Sequence, residues 1–443
     1  MAGPRQCENE QKLGEEMAAG NHASQAAETA GGRAGGLGPI LAACTLVYML
    51  DGLVHSILGP LAPQIAASLR MTHAEMGPVF SANLIGQSLG LIVFPLLAGR
   101  IGNRKVVVIT AAGFGTFELA AGFATSWEAL FAIRLLTGLF LGGALPTCLA
   151  IVTNASPPHR RGIVTMTLFT GYGLGATLAG LAVAVFGETG WRSALIAVGM
   201  CSMLTALVVG IWLRGPECAA DDGNERQGGK GATNPLLIFA PRYLLGTLML
   251  WMLFISMLTI SYCLNSWLPT LLVEVGHDQS VAAISVTTFS LGGIIAALGV
   301  GVLIDRWGAT RILTAFLAIS TGMLFLIGQV LATAPSDVLL VLLGVCGFFV
   351  LGAYGGVNVV LAGYYPAAMR ALGIGWTKSV GRVGTMVAPI LIGFALTQGI
   401  QGTTVMSLFA LPAALAATAV LVVGLSRASR AGPADMASSA VAR

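Results

Sequence analysis

Charge is what this chain has least of. Only 9% of its 443 residues are Asp, Glu, Lys or Arg, against about a quarter in an ordinary soluble domain. With 56% hydrophobic residues and a mean hydropathy of +0.83, that shortage excludes a soluble globular protein. Cysteine is sparse as well. The seven present (Cys7, Cys44, Cys148, Cys201, Cys218, Cys263 and Cys346) are odd in number, scattered and without paired spacing, which excludes a zinc cluster or a disulfide framework and leaves packing as their role. Apolar and polar residues do not alternate over long stretches, so a β-barrel is excluded too. There is no phosphate-cradling loop, nucleophile elbow, metal-ligand cluster or basic nucleic-acid patch; GYGLGATLAG reads as glycine for helix packing in lipid. Neither an enzyme, nor a cofactor or metal, nor a nucleic-acid partner is expected, and the short tails argue against a receptor.

What the chain has instead is long apolar runs. About 20 residues span a bilayer as a helix, and twelve such runs lie near 38–66, 77–98, 105–125, 127–153, 162–186, 192–213, 243–272, 280–304, 311–332, 336–363, 372–398 and 403–425. The expected fold is therefore an all-α membrane protein of twelve transmembrane helices in two six-helix bundles, over 37–214 and 243–426. A polar, Gly-rich linker at 215–242 joins them, and tails at 1–36 and 427–443 flank them. The acidic first 36 residues lack the order of a cleaved signal. With the amino terminus cytoplasmic, the inner loops hold Arg100, Arg104, Lys105, Arg160, Arg161, Arg214, Arg226, Lys230, Arg242, Arg306, Arg311 and Arg370, and the outer loops Arg70 and Arg192. That imbalance predicts an inner-membrane protein with both termini in the cytoplasm. LAGRIGNRK after the second run echoes LIDRWGATR after the eighth, as in transporters built from two related bundles.

A carboxylate at mid-bilayer costs a few kcal/mol and normally faces a protein interior or watery cavity, so Asp51 in LVYMLDGLVHSILGP marks a functional chamber. At about 1.5 Å per residue, Asp51, Glu118 and Arg134 reach a similar depth. Asp51 is read as titrating, with Arg134 tuning it. His55, one turn on, is a second relay or substrate group. Glu118 reads as a paired structural acid. Lys378 and Arg382 in the eleventh run have no nearby acid in sequence, which predicts an anionic ligand whose carboxylate Arg382 grips; the alternative is a pair of Arg382 with Asp51 or Glu118 across the halves. Asn265, Tyr354 and Asn358 are the uncharged candidates, with Gln87, Tyr172 and Tyr262 behind them; Trp267 is expected in an interfacial aromatic belt. Arg104, Asp305, Arg306 and Arg311 are expected to latch the inner side rather than bind ligand.

Asp305-Arg306-Trp307-Gly308 with Arg311, and Arg134 followed by Gly138 and Gly142, resemble the signature patterns of the major facilitator superfamily. Within it, LDG, GPVFSANLIG, RLLTGLFLGGALP, NSWLPTLL and LGIGWTKSVGRVGT look like the aromatic acid:proton symporters. Two positions depart from that pattern: Val54 and Gly99 each stand where these symporters carry Asp. The resemblance implies import of a small aromatic carboxylate with protons by alternating access, and His55 is expected to compensate for the acid missing at 54. A monomer is expected. Export of a drug or other metabolite is the alternative, weakly disfavoured because the fifth run lacks the Gly-Pro arrangement of antiporters.

Overall fold

The computed structural model describes residues 37–157, 160–186, 190–213, 239–365 and 367–428. The tails expected at 1–36 and 427–443 and the linker at 215–242 lie outside them, apart from 239–242 and 427–428. The described residues form twelve long helices. The first six are α1 (Leu37–Leu69), α2 (His73–Ile101), α3 (Asn103–Ala121), α4 (Trp127–Ala155), α5 (Arg161–Phe186) and α6 (Trp191–Trp212). The second six are α7 (Pro241–Glu274), α8 (Gln279–Trp307), α9 (Ala309–Val330), α10 (Ser336–Tyr364), α11 (Ala367–Thr397) and α12 (Gly402–Leu408, resuming as Ala410–Ala428). All but α3 are long and apolar enough to cross a membrane; α3 carries Arg104, Lys105 and Glu118 within its 19 residues.

Proline accounts for two irregular points. Pro60 has no N–H for the Ser56 carbonyl, and α1 is interrupted at Ile57. Pro412 stands in the same relation to Leu408, and α12 turns at Phe409. Other helix starts are set by sequence: Thr72 and Glu75 form a capping box at α2, with the Thr72 N–H donating to Glu75 at 2.7 Å. Pro241 opens α7, where a missing N–H costs nothing.

Each half is built on a glycine seam. In the first, α2 lies on α4 with Gly86 against the Leu135 carbonyl, Gly138 against the Asn83 carbonyl and Gly142 against the Gln87 carbonyl. In the second, α8 lies on α10 with Gly292 against the Gly344 carbonyl and Gly347 against the Phe289 carbonyl. The pairs correspond under a shift of six helices, which is the internal repeat that the two echoed loops suggest. Small residues at these positions let backbones touch where no hydrophobic effect drives helices together. Gly138→Ala places a methyl on a backbone carbonyl and is expected to destabilise the folded protein by about 1–3 kcal/mol, read as a fall of several degrees in melting temperature in detergent.

The halves meet through α1 on α7, α2 on α11 and α5 on α8, a set that maps onto itself under the same six-helix shift. The closest approaches lie in the half of the molecule remote from the chain termini. There Gly59 abuts the Asn265 carbonyl, Gly77 the Pro389 carbonyl, Gly393 the His73 carbonyl and Gly180 the Ala283 carbonyl. Ser81 donates to the Met386 carbonyl at 2.7 Å and Thr287 to the Thr177 carbonyl at 3.0 Å. The periphery is apolar and open, with Leu96, Ile163 and Val341 exposed by 69%, 75% and 67%, as a lipid-facing surface requires. Cys44, Cys148, Cys263 and Cys346 are buried as packing residues.

Candidate functional site

Tyr48, Asp51 and His55 recur at i, i+3 and i+7 along α1, so they share one face. Glycine fixes what surrounds them. Gly52 abuts the Tyr172 carbonyl, and Gly175 and Gly171 of α5 abut the backbone of Met49 and Thr45. A side chain at any of these positions would push α5 away from α1; glycine closes the wall behind Asp51 and carries Tyr172 to the same chamber. The GYGLGATLAG stretch is thus helix packing, as its composition suggests.

Asp51 is 1% exposed, and its Oδ1 has no hydrogen-bond partner among the described residues. The cation whose field it feels is Arg382 of α11, reaching across from the other half. Arg382 donates from Nη1 to Ser88 Oγ of α2 at 3.2 Å, tying the two halves at mid-depth. Aromatic rings complete the surround. The Tyr48 ring lies 5.3 Å from Tyr172, and the His55 ring lies 4.9 Å from Tyr262 and 6.1 Å from Tyr172. Tyr262 and Tyr354 also lie within the field of Arg382. His55 Nδ1 sits 3.5 Å from Asn83 Nδ2. The site therefore joins α1, α2 and α5 of one half to α7, α10 and α11 of the other.

Arg134 stands elsewhere than expected. Its Nη2 donates to Glu118 Oε1 at 3.1 Å with both side chains fully buried, and its Nη1 donates to the Val54 carbonyl at 3.4 Å. The expectation that Arg134 is the counter-charge of Asp51 is corrected: its guanidinium is held by Glu118 of α3 and the Val54 carbonyl of α1, and the charge that acts on Asp51 is that of Arg382. Glu118 is the paired acid its position suggested. Trp267 is corrected as well. It is fully buried rather than at a lipid interface, edge-on to Phe80 at 5.2 Å and near His73 at 6.4 Å, where α2 and α11 close on α7.

The remaining candidates divide. Tyr354 faces the site, while Asn358 Nδ2 turns back to the Gly355 carbonyl of its own helix at 3.5 Å. Asn265 is half-buried, with its backbone on Gly59. Lys378, one turn before Arg382 and within reach of its charge, is exposed. Among the loop residues, Arg104 donates to the Gly210 carbonyl at 3.2 Å and so braces α6 within its own half. Asp305, Arg306 and Arg311 are exposed, Arg306 lying 5.5 Å over the Trp307 ring, and none forms an ion pair among the described residues. Three site residues were not singled out from sequence: Tyr48, Asn83 and Ser88. Tyr48 was findable, being three residues before Asp51 on the same face; Asn83 and Ser88 carry no such signal.

Two six-helix halves that meet on mid-membrane charged groups are the arrangement of a transporter, and comparison with known proteins agrees. The sequence profile of the Major Facilitator Superfamily matches residues 44–327 and 260–440. The chain belongs to the Major Facilitator Superfamily. It is accordingly a multi-pass membrane transport protein rather than an enzyme. A superfamily relative, the gallate transporter of Pseudomonas putida, is 31% identical over 88% of this chain and 92% of its own length. The 4-hydroxybenzoate transporter of Pseudomonas aeruginosa is 32% identical over 89% and 94%, and the 3-(3-hydroxy-phenyl)propionate transporter of Escherichia coli 32% over 88% and 94%. Among solved superfamily structures, a D-xylose-proton symporter aligns with a TM-score of 0.70 at 14% identity, over 86% of this chain and 96% of that one. A bacterial homologue of the human lysosomal transporter Spinster, inward-facing and occupied, gives 0.67 at 16% identity over 87% and 96%. At such identities these two support the fold alone.

Proposed function

We propose that this chain imports a small aromatic carboxylate, of the benzoate or hydroxybenzoate kind, together with one or more protons by alternating access. The observation that carries the reading is a buried, unpartnered Asp51 and an Arg382 that bonds across the two halves to Ser88, both within a surround of tyrosine rings. A guanidinium offers forked donors that match a carboxylate. Tyr48, Tyr172, Tyr262 and Tyr354 supply flat apolar walls with hydroxyls at their rims, suited to a substituted ring. The names of the relatives, transporters of gallate, 4-hydroxybenzoate and hydroxyphenylpropionate, support the same ligand class.

Coupling follows from competition for one cation. An ionised Asp51 draws Arg382 and holds it from the substrate; a proton on Asp51 frees the guanidinium to take the substrate's carboxylate. Loss of that proton on the other side restores the competitor and expels the substrate. Tight backbone contacts seal the end remote from the termini, and the exposed residues Asp305, Arg306 and Arg311 at the other end are then latches drawn apart. The positive-inside imbalance supports a cytoplasmic position for that end and for both termini, in an inner membrane that holds the protein as a monomer. His55, beside Asn83 and Tyr262, serves as a relay next to Asp51.

Cells or proteoliposomes containing the protein are expected to accumulate labelled 4-hydroxybenzoate against its gradient, and a protonophore should cut that accumulation at least tenfold. Accumulation indifferent to the protonophore removes the proton from the reading. Thermal stabilisation by xylose or nucleosides but by none of benzoate, hydroxybenzoates, phenylpropanoates or nicotinate removes the aromatic acid, since a true ligand stabilises by mass action.

A further inference from the structure

Glu118 and Arg134 form a buried pair that the cycle above leaves unused. Both side chains are fully buried, yet they share one bond of 3.1 Å, and Glu118 Oε2 and Arg134 Nε have no hydrogen-bond partner among the described residues. A buried pair repays the cost of desolvation only when geometry is good and its remaining donors and acceptors are met. This pair is half met. A structural brace is better served by a saturated fork, whereas a pair that must open once per cycle leaves atoms spare.

The spare atoms have neighbours. Asn83 Oδ1 is also buried and unpartnered, and it lies within 2.8 Å of where a side chain on Gly138 would begin, one turn along α4 from Arg134. Asn83 Nδ2 meets His55, and Arg134 already touches α1 at the Val54 carbonyl, three residues beyond Asp51. Polar contacts thus run from Glu118 through Arg134 to the Val54 carbonyl of α1, and Asn83, which meets His55, stands beside Gly138 one turn along α4 from Arg134. The helices packed against α3 bring no other charge to Glu118. In α2 the ionisable residues are His73, Glu75 and Arg100 near its ends; in α4, besides Arg134, Glu128 near its start and the Cys148 thiol; in α6 the Cys201 thiol and Arg192, which donates to the Ala124 carbonyl and to Ser68; and α3 itself carries Arg104 and Lys105 in its first turn.

We propose that Glu118 is a second proton-carrying carboxylate of the transport cycle, opening and closing its pair with Arg134. A proton from water binds Glu118 Oε2, the carboxyl becomes neutral, and its bond to Arg134 Nη2 breaks. Arg134 keeps its proton and its charge, swings toward Asn83 Oδ1, and brings an uncompensated positive charge to the side of α1 that carries His55. Release of the same proton to water on the other side restores the ion pair. One proton moves per cycle, separate from that on Asp51. The proposal rests on the proton coupling proposed above.

The test is the proton-to-substrate ratio of purified protein in proteoliposomes, from the reversal potential of 4-hydroxybenzoate transport at imposed pH gradients. Glu118→Gln is expected to lower the ratio by one and to cut accumulation driven by a pH gradient at least tenfold, while substrate exchange at equal pH continues at a reduced rate. Glu118→Asp, which keeps the acid on a shorter stem, should restore the ratio with a displaced pH midpoint of uptake; it also covers the case in which the amide variant does not assemble. A Glu118→Gln protein with the wild-type ratio and pH profile overturns the proposal, as does a Glu118→Asp protein whose midpoint is unmoved. If the wild type itself moves no protons with substrate, the coupling proposed above fails first; if it does and the variants match it, only the role of Glu118 fails.

Discussion

Replacement of Asp51 by Asn is expected to abolish uphill transport, lowering accumulation of 4-hydroxybenzoate by about a hundredfold or more. Asn is nearly the shape of Asp and cannot ionise, so it imitates the protonated state throughout the cycle. The protein should still bind substrate, because Arg382 is never recaptured, and binding should lose its dependence on pH. Steady-state accumulation in energised vesicles measures the first effect, and titration calorimetry across pH 5 to 8 the second. An Asp51→Asn protein that concentrates substrate like the wild type defeats the mechanism. The pocket walls are not at issue in that result, since in the proposed cycle Asp51 acts through Arg382 and not by touching the ring.

Arg382→Ala is expected to weaken substrate binding by about 2–4 kcal/mol, the usual cost of removing one partner of a desolvated charge pair, or roughly 30- to 700-fold in Kd. It also removes the donor to Ser88 Oγ, so the comparison that isolates recognition is Arg382→Lys. Lysine keeps the charge without the planar fork, and a loss of about tenfold in affinity is expected, with the stability of the apo protein changed much less than in the alanine variant. Equal affinities for wild type and Arg382→Ala would place the carboxylate elsewhere. Lys378, one turn away and exposed, would then be the cation to examine.

The two variants separate roles that the charges alone do not. In the proposed cycle Asp51 governs when binding happens, and Arg382 governs whether it happens. The seal remote from the termini serves both: its contacts are backbone on glycine at Gly59, Gly77, Gly180 and Gly393, so they part without breaking many strong bonds.

Depth in the membrane could be read from the sequence, and direction could not. Counting residues put Asp51, Glu118 and Arg134 near one level, and all three are buried, Arg134 bonding to Glu118 and to the Val54 carbonyl three residues beyond Asp51. Their pairing was misjudged because these helices are apolar around most of their circumference. A soluble helix advertises its inward face by amphipathic periodicity; a helix between lipid and protein has little of it, and α4 gives no sign that Arg134 takes Glu118 of α3 and the Val54 carbonyl of α1 as partners and not the Asp51 carboxylate. Trp267 failed for the same reason. Its place near a helix end fits an interfacial belt equally well, and only the approach of α2 and α11 to α7 buries it.

The number and length of the helices were set by sequence alone, because a bilayer demands about 20 apolar residues per span with every backbone polar group paired within the segment. The twelve runs correspond one to one with α1–α12, and the echo of LAGRIGNRK in LIDRWGATR foretold the two seams. Tertiary structure decided which charges meet. Glycine contacts such as Gly52 on Tyr172 and Gly138 on Asn83 fix the rotation of each helix about its axis. That rotation sends Arg134 to Glu118 and leaves Asp51 within the field of Arg382.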